Sequence, residues 1–139
     1  MTPDTASNQQ KSQGGVDASL ARHGGLSYLE IPATDVRQSA RFYRAVLGWK
    51  IDDTDAENPK FTDRTGHLIG RWVSGRAVAA RKTGVLPYFY VEGIHETLAQ
   101  VESNGGEIVR PIFPEGNLWV SVVRDPAGNA IGLWQEATS

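Results

Sequence analysis

The chain contains no cysteine. Disulfide staples, thiolate metal ligands and cysteine nucleophiles are thereby excluded, and such a composition suits the reducing cytoplasm. Histidine is scarce, with three in 139 residues. An excess of one charge is also lacking: 14 Lys and Arg stand against 16 Asp and Glu, a net charge of −2. Nothing basic enough for nucleic acid or an anionic membrane surface stands out. No apolar run is long enough to span a bilayer, and no apolar core of a signal peptide opens the chain. The stretch MTPDTASNQQKSQGGVDASLARHGG is poor in large apolar side chains. It cannot offset its own ordering entropy, so residues 1–25 are expected to form a disordered tail and 26–139 a single domain.

What the chain does have is a repeat. FTDRTGHLIGRW (Phe61 to Trp72) and VRDPAGNAIGLW (Val123 to Trp134) share Asp, Gly, Ile, Gly and Trp at a spacing of 62 residues. The upstream segments correspond as well. LSYLEI and LPYFYV alternate as strands do. Each leads into a helical pattern, with Val36, Ala40, Tyr43 and Leu47 in one stripe and Ile94, Leu98 and Val101 in the other. Asp35 is placed as an N-cap, and Gly48 and Asn104-Gly105-Gly106 as helix ends. The order βαβββ therefore occurs twice, at about 26–74 and 86–136, with a basic linker at 75–85. A βαβββ unit covers one face of its sheet with a helix and leaves the other bare. The expected fold is α+β, two βαβββ repeats whose mixed sheets curl around a shared cleft.

With EIPATDVRQSARFYRAVLGW, YFYVEGIHETLAQVESNGGEIV and DPAGNAIGLW in this order, the chain resembles the vicinal oxygen chelate superfamily of glyoxalase I, bleomycin-resistance proteins and extradiol dioxygenases. The resemblance covers nearly the whole chain after Gly25. It implies the glyoxalase/bleomycin-resistance fold, but not one function, because this fold hosts many chemistries. In metal-dependent members a His or Gln on the first strand and a Glu on the last strand of each half are ligands. Carried onto this chain, those positions fall on Tyr28 and on Leu86 or Tyr88, and on Gly70 and Gly132. Neutral tyrosine, leucine and glycine do not hold a divalent cation. No metal and no cofactor are expected.

Strand parity suggests what lines the cleft instead. Tyr28 and Glu30 point away from the helix-packed Leu29 and Ile31. Tyr88 and Tyr90 do so in half two. Putting Ile69 and Ile131 on the helix side sends Gly70, Trp72, Gly132 and Trp134 to the cleft. An aromatic wall with one acid suits a flat or cationic small molecule, through stacking and cation–π contact. The same aromatics also suit simple packing against each other or a second subunit. Glu30 is either a carboxylate paired with a nearby arginine or a catalytic base or cation anchor whose pKa burial would raise. The basic segment Ser74 to Gly84, with Arg76, Arg81 and Lys82, is a plain linker or a flap carrying an arginine over the cleft.

Three functions remain open. The first is a metal-free binder of an aromatic or cationic small molecule, working as a homodimer as bleomycin-resistance proteins do. The second is an enzyme of the same superfamily (lyase, isomerase or dioxygenase) that uses Glu30, a tyrosine or a metal at displaced ligands. The third is a dimeric module with no small ligand.

Overall fold

Asp35 opens the first helix because its carboxylate accepts the otherwise orphaned amides of Arg37 and Gln38, each at 3.1 Å. The helix, α1 (Val36–Leu47), ends where Gly48 turns to a left-handed φ of 71°. In the computed structural model, which describes residues 17–78 and 84–137, two such units follow one another. The first contains β1 (Tyr28–Pro32), α1, β2 (Lys50–Asp52), β3 (Lys60–Thr62) and β4 (Ile69–Val73). The second contains β5 (Tyr88–Tyr90), α2 (Ile94–Ser103), β6 (Glu107–Glu115), β7 (Leu118–Arg124) and β8 (Ala130–Glu136). Each half folds into a four-stranded mixed sheet, in the orders β1-β4-β3-β2 and β5-β8-β7-β6. The duplicated α+β architecture is the one the sequence leads one to expect.

The two halves share one core. Trp49, just past α1, stacks on Tyr43 at 4.7 Å and on Phe61 at 4.3 Å, and Phe89 of half two meets it edge-on at 5.8 Å. Phe42 is fully buried, so the apolar stripe of α1 is wider than its 3.6-residue periodicity alone indicates. Gly93, which precedes α2, has no side chain to cap that helix. Gln135 supplies the cap from β8, its Oε1 accepting the Ile94 amide at 2.6 Å. Residues 1–16 of the expected tail lie outside the described residues. Ser19 meets the β3–β4 turn, its hydroxyl donating to the Gly66 carbonyl at 3.1 Å and its carbonyl lying 3.0 Å from His67 Nδ1.

The repeated heptads do not fold alike. The Asp63 amide donates to the Leu68 carbonyl, whereas the equivalent Asp125 amide donates to Asn129, one residue sooner. Thr62 accordingly pairs with Ile69, seven positions on, and Arg124 with Ala130, six positions on. An extra residue in the turn reverses the parity of everything after it. In half two, Ile131 and Leu133 face the core. In half one that face is taken by Gly70, paired with Phe61, and by Trp72, which is 2% exposed and packs on Tyr43, Trp49 and Phe61. The expectation that Gly70 and Trp72 face the cleft is thus corrected. Ile69, Arg71 and Val73 occupy the open face in their place.

Candidate functional site

A cleft of about 740 Å³ runs between the first strand of half one and the open face of the sheet of half two. Leu29–Pro32 of β1, Tyr43 of α1 and the approach Gly84–Phe89 line it on one side. Val109, Arg110, Val122, Arg124, Asn129, Ala130 and Ile131 line it on the other. The sheet register explains the second group. Tyr88 pairs with Gly132, Gly132 with Val122, and Val122 with Arg110, so the four form one row across the open face. The Tyr88 ring lies against Gly132, in space that any Cβ would need.

One end of the cleft is clamped by a polar network that joins the halves. Asn129 Nδ2 donates to the Pro32 carbonyl at 2.7 Å and to Asp125 Oδ2 at 2.8 Å. The Tyr43 hydroxyl donates to the same Oδ2 at 2.7 Å. Asp125 Oδ1 accepts the amides of Ala127 and Asn129. Burial pushes the Asp125 carboxyl above its ordinary pKa despite these hydrogen bonds. Burial, and then the Asp125 charge, raises the Tyr43 phenol well above its own. Tyr43 therefore remains a donor, and the network fixes the strand edges rather than shuttling protons.

Glu30 is the single carboxylate among the lining residues. It is held by two guanidiniums. Arg71 meets Oε2 through both Nη2, at 3.0 Å, and Nε, at 3.2 Å, and Arg76 meets Oε1 at 2.7 Å. Hydrogen bonds from Arg76 and then Arg71 hold its pKa below the ordinary glutamate value. A carboxylate so stabilised in its ionised form is a weak base, which removes the support for the raised-pKa role.

The other expected site residues scatter. Tyr28 is half exposed and lies outside the cleft lining, although it shares the open face of β1 with Glu30. Tyr88 lines the cleft at 50% exposure. Tyr90 and Trp134 sit one row further along, edge to face at 5.0 Å. Gly132 lies beneath Tyr88, while Gly70 and Trp72 are in the core. Arg76 reaches the site from the linker; Arg81 and Lys82 lie outside the described residues. Sequence reasoning missed Arg110 and Arg124. Pro111 and Pro114 obscure the strand signal of β6, whose pairing with β7 also slips in register on both sides of Arg110.

A divalent metal does not fit these residues. The position in half one that matches Gly132 in register is Arg71, which brings a cation to where metal-dependent relatives need a carboxylate. Among the described residues no three His, Cys, Asp or Glu side chains gather where they could hold an ion.

Residues 25–133 match the Glyoxalase/Bleomycin resistance protein/Dioxygenase superfamily. The chain belongs to this family. A glyoxylase-like domain-containing protein of Didymella fabae is 30% identical over 103 residues, covering 70% of this chain and 80% of that protein. CFP32, a candidate glyoxylase of Mycobacterium bovis, is 29% identical over 126 residues, covering 82% of this chain. The chain spans only 46% of the length of CFP32. Among solved structures, the fosfomycin resistance protein FosX of Mesorhizobium loti superposes with a TM-score of 0.65 at 17% identity, covering 81% of this chain and 92% of FosX. A glyoxalase/bleomycin resistance protein/dioxygenase family enzyme of Burkholderia phytofirmans superposes with a TM-score of 0.66 at 15% identity, covering 81% of this chain and 99% of that one. These likenesses carry the fold.

Proposed function

We propose that this superfamily member binds a flat, largely apolar small molecule in the cleft between its halves, and that the molecule is neutral or acidic rather than cationic. One observation carries the reading. The accessible apolar lining of the cleft is Leu29, Leu86, Phe89, Val109 and Val122, backed by the core residues Ile31 and Ile131, with Arg110 and Arg124 among its few polar groups and its single carboxylate already paired with two arginines. Apolar walls with a few placed polar groups are the usual build of a small-molecule site, and Tyr88 offers a ring for stacking. Of the five rings expected to wall the cleft, Tyr88 is the one in its lining. The expectation of a cationic ligand loses its anchor, because Glu30 has no charge to spare. Metal-free binding agrees with the donor set. The half-exposed rings of Tyr28, Tyr88 and Tyr90 favour a homodimer, which sedimentation would test, and a cytoplasmic location agrees with the absence of cysteine. No helix among the described residues is long and apolar enough to cross a membrane.

The test uses three probes with one ring system: 2-naphthoate, 2-naphthamide and 2-naphthylmethylamine. Calorimetric titration and thermal melts are expected to show binding of the acid and the amide, and little of the amine. Preference for the amine, or no binding by any of the three, would overturn the reading.

A further inference from the structure

Two guanidiniums, Arg71 and Arg76, converge from just outside the cleft lining on Glu30, the one carboxylate within it. Arg71 comes from β4 and is there because the turn at 63–68 holds one residue more than its counterpart. Arg76 comes from the segment that follows β4. Their side chains are 43% and 53% exposed and that of Glu30 is 26% exposed, so all three remain open to a ligand. The cluster has the geometry of an acid-binding site: a two-nitrogen fork on one oxygen and a second guanidinium on the other. Its present occupant is a side chain of the protein itself. The cluster carries one net positive charge, and Arg110 adds another to the cleft, whereas Arg124 is paired with Glu107 at 3.8 Å.

We infer that Glu30 is an internal counter-ion seated in a two-arginine acid subsite, and that the carboxylate or phosphate of an incoming ligand takes its place on Arg71 and Arg76. The idea rests on the reading of the cleft given above. Glu30 then restrains affinity instead of providing it. Without an acidic ligand it keeps two adjacent guanidiniums from repelling each other, and it sets the selectivity of the cleft against weak acids. The hydrogen bonds that Arg76 and Arg71 donate stabilise its charged form and keep it ionised in this role. Displacement is accessible because partly exposed ion pairs are worth little net free energy. A ligand whose ring is buried in the cleft supplies the remainder.

The test pairs opposite substitutions. Glu30→Gln vacates the subsite and is expected to tighten 2-naphthoate binding about two- to fivefold, with 2-naphthamide unchanged. Arg71→Gln and Arg76→Gln are each expected to weaken the acid by about tenfold and to leave the amide alone. The double variant Arg71→Gln/Arg76→Gln frees the carboxylate and is expected to make 2-naphthylmethylamine the preferred probe. Melting curves of each variant confirm folding. Weaker or unchanged binding of the acid in Glu30→Gln overturns the inference. If the wild-type protein binds the acid and the amide equally and Glu30→Gln changes neither, the inference fails while the reading of the cleft survives. If no probe binds any variant, the reading of the cleft fails with it.

Discussion

The Tyr43 hydroxyl donates a 2.7 Å hydrogen bond to Asp125, joining the first helix of one half to the hairpin turn of the other. Both residues are buried, and Asn129 extends the bond to the Pro32 carbonyl at the edge of the cleft. Tyr43→Phe keeps the ring stack on Trp49 and removes only the donor. The loss is expected to destabilise the fold by about 1–3 kcal/mol, because a buried carboxylate is left with one partner fewer. Urea denaturation measures this. A change below about 0.5 kcal/mol would show that the bond does not tie the halves together.

Asp125 also predicts a pH dependence. Its folded pKa lies above the unfolded value, because burial outweighs the hydrogen bonds that favour its charge. The folded protein therefore binds the proton more tightly than the unfolded chain does. From this group alone, stability is greatest below the unfolded aspartate pKa, falls as pH rises toward the raised folded value, and is level above it. Measured from pH 3 to 7, the stability of the wild type relative to Asp125→Asn is expected to decline across that window. A rising difference would mean that the hydrogen bonds outweigh burial.

Trp72 and Trp134 close the two copies of the repeat and face opposite sides of their sheets. Trp72 lies among Tyr43, Trp49 and Phe61, whereas Trp134 meets Tyr90 on the open face. Trp72→Ala is expected to cost about 3–5 kcal/mol, and Trp134→Ala about 1 kcal/mol. The Trp72 indole N–H has no hydrogen-bond partner among the described residues. Trp72→Phe should therefore be milder than its loss of volume suggests, since it also removes an unsatisfied donor. Equal effects of the two alanine substitutions on melting temperature would contradict the reversed parity.

The glycines of the repeat separate in the same way. A Cβ at Gly70 would collide with the Leu29 carbonyl oxygen, which belongs to the neighbouring strand and cannot swing aside. Gly70→Ala is expected to cost about 3 kcal/mol. At Gly132 the obstacle is the half-exposed Tyr88 ring, which can rotate away. Gly132→Ala should leave stability within about 1 kcal/mol but weaken 2-naphthamide, because it moves a wall of the cleft. Unaltered ligand binding by a folded Gly132→Ala would separate Tyr88 from the binding site.

The residues themselves determined much of this protein. The alternation of LSYLEI and LPYFYV, the Asp35 cap and the glycine-ended helices dictate two βαβββ units, since each is a local matter of backbone preference and amphipathic period. The position in half one that matches Gly132 was not legible: the repeat puts it on Gly70, and the strand register puts it on Arg71. Tertiary structure alone decided which side chains meet in the cleft. Side-chain direction on a strand has a period of two, so the closure of one turn at Leu68, against Asn129 in its counterpart, moved Trp72 and Gly70 inward and Arg71 outward. The identical letters around Ile69 and Ile131 hide that difference. Glu30 likewise reads as a lone acid along the chain. Its two arginines lie 41 and 46 positions away and reach it only because β4 runs beside β1 and leads into the linker that bears Arg76.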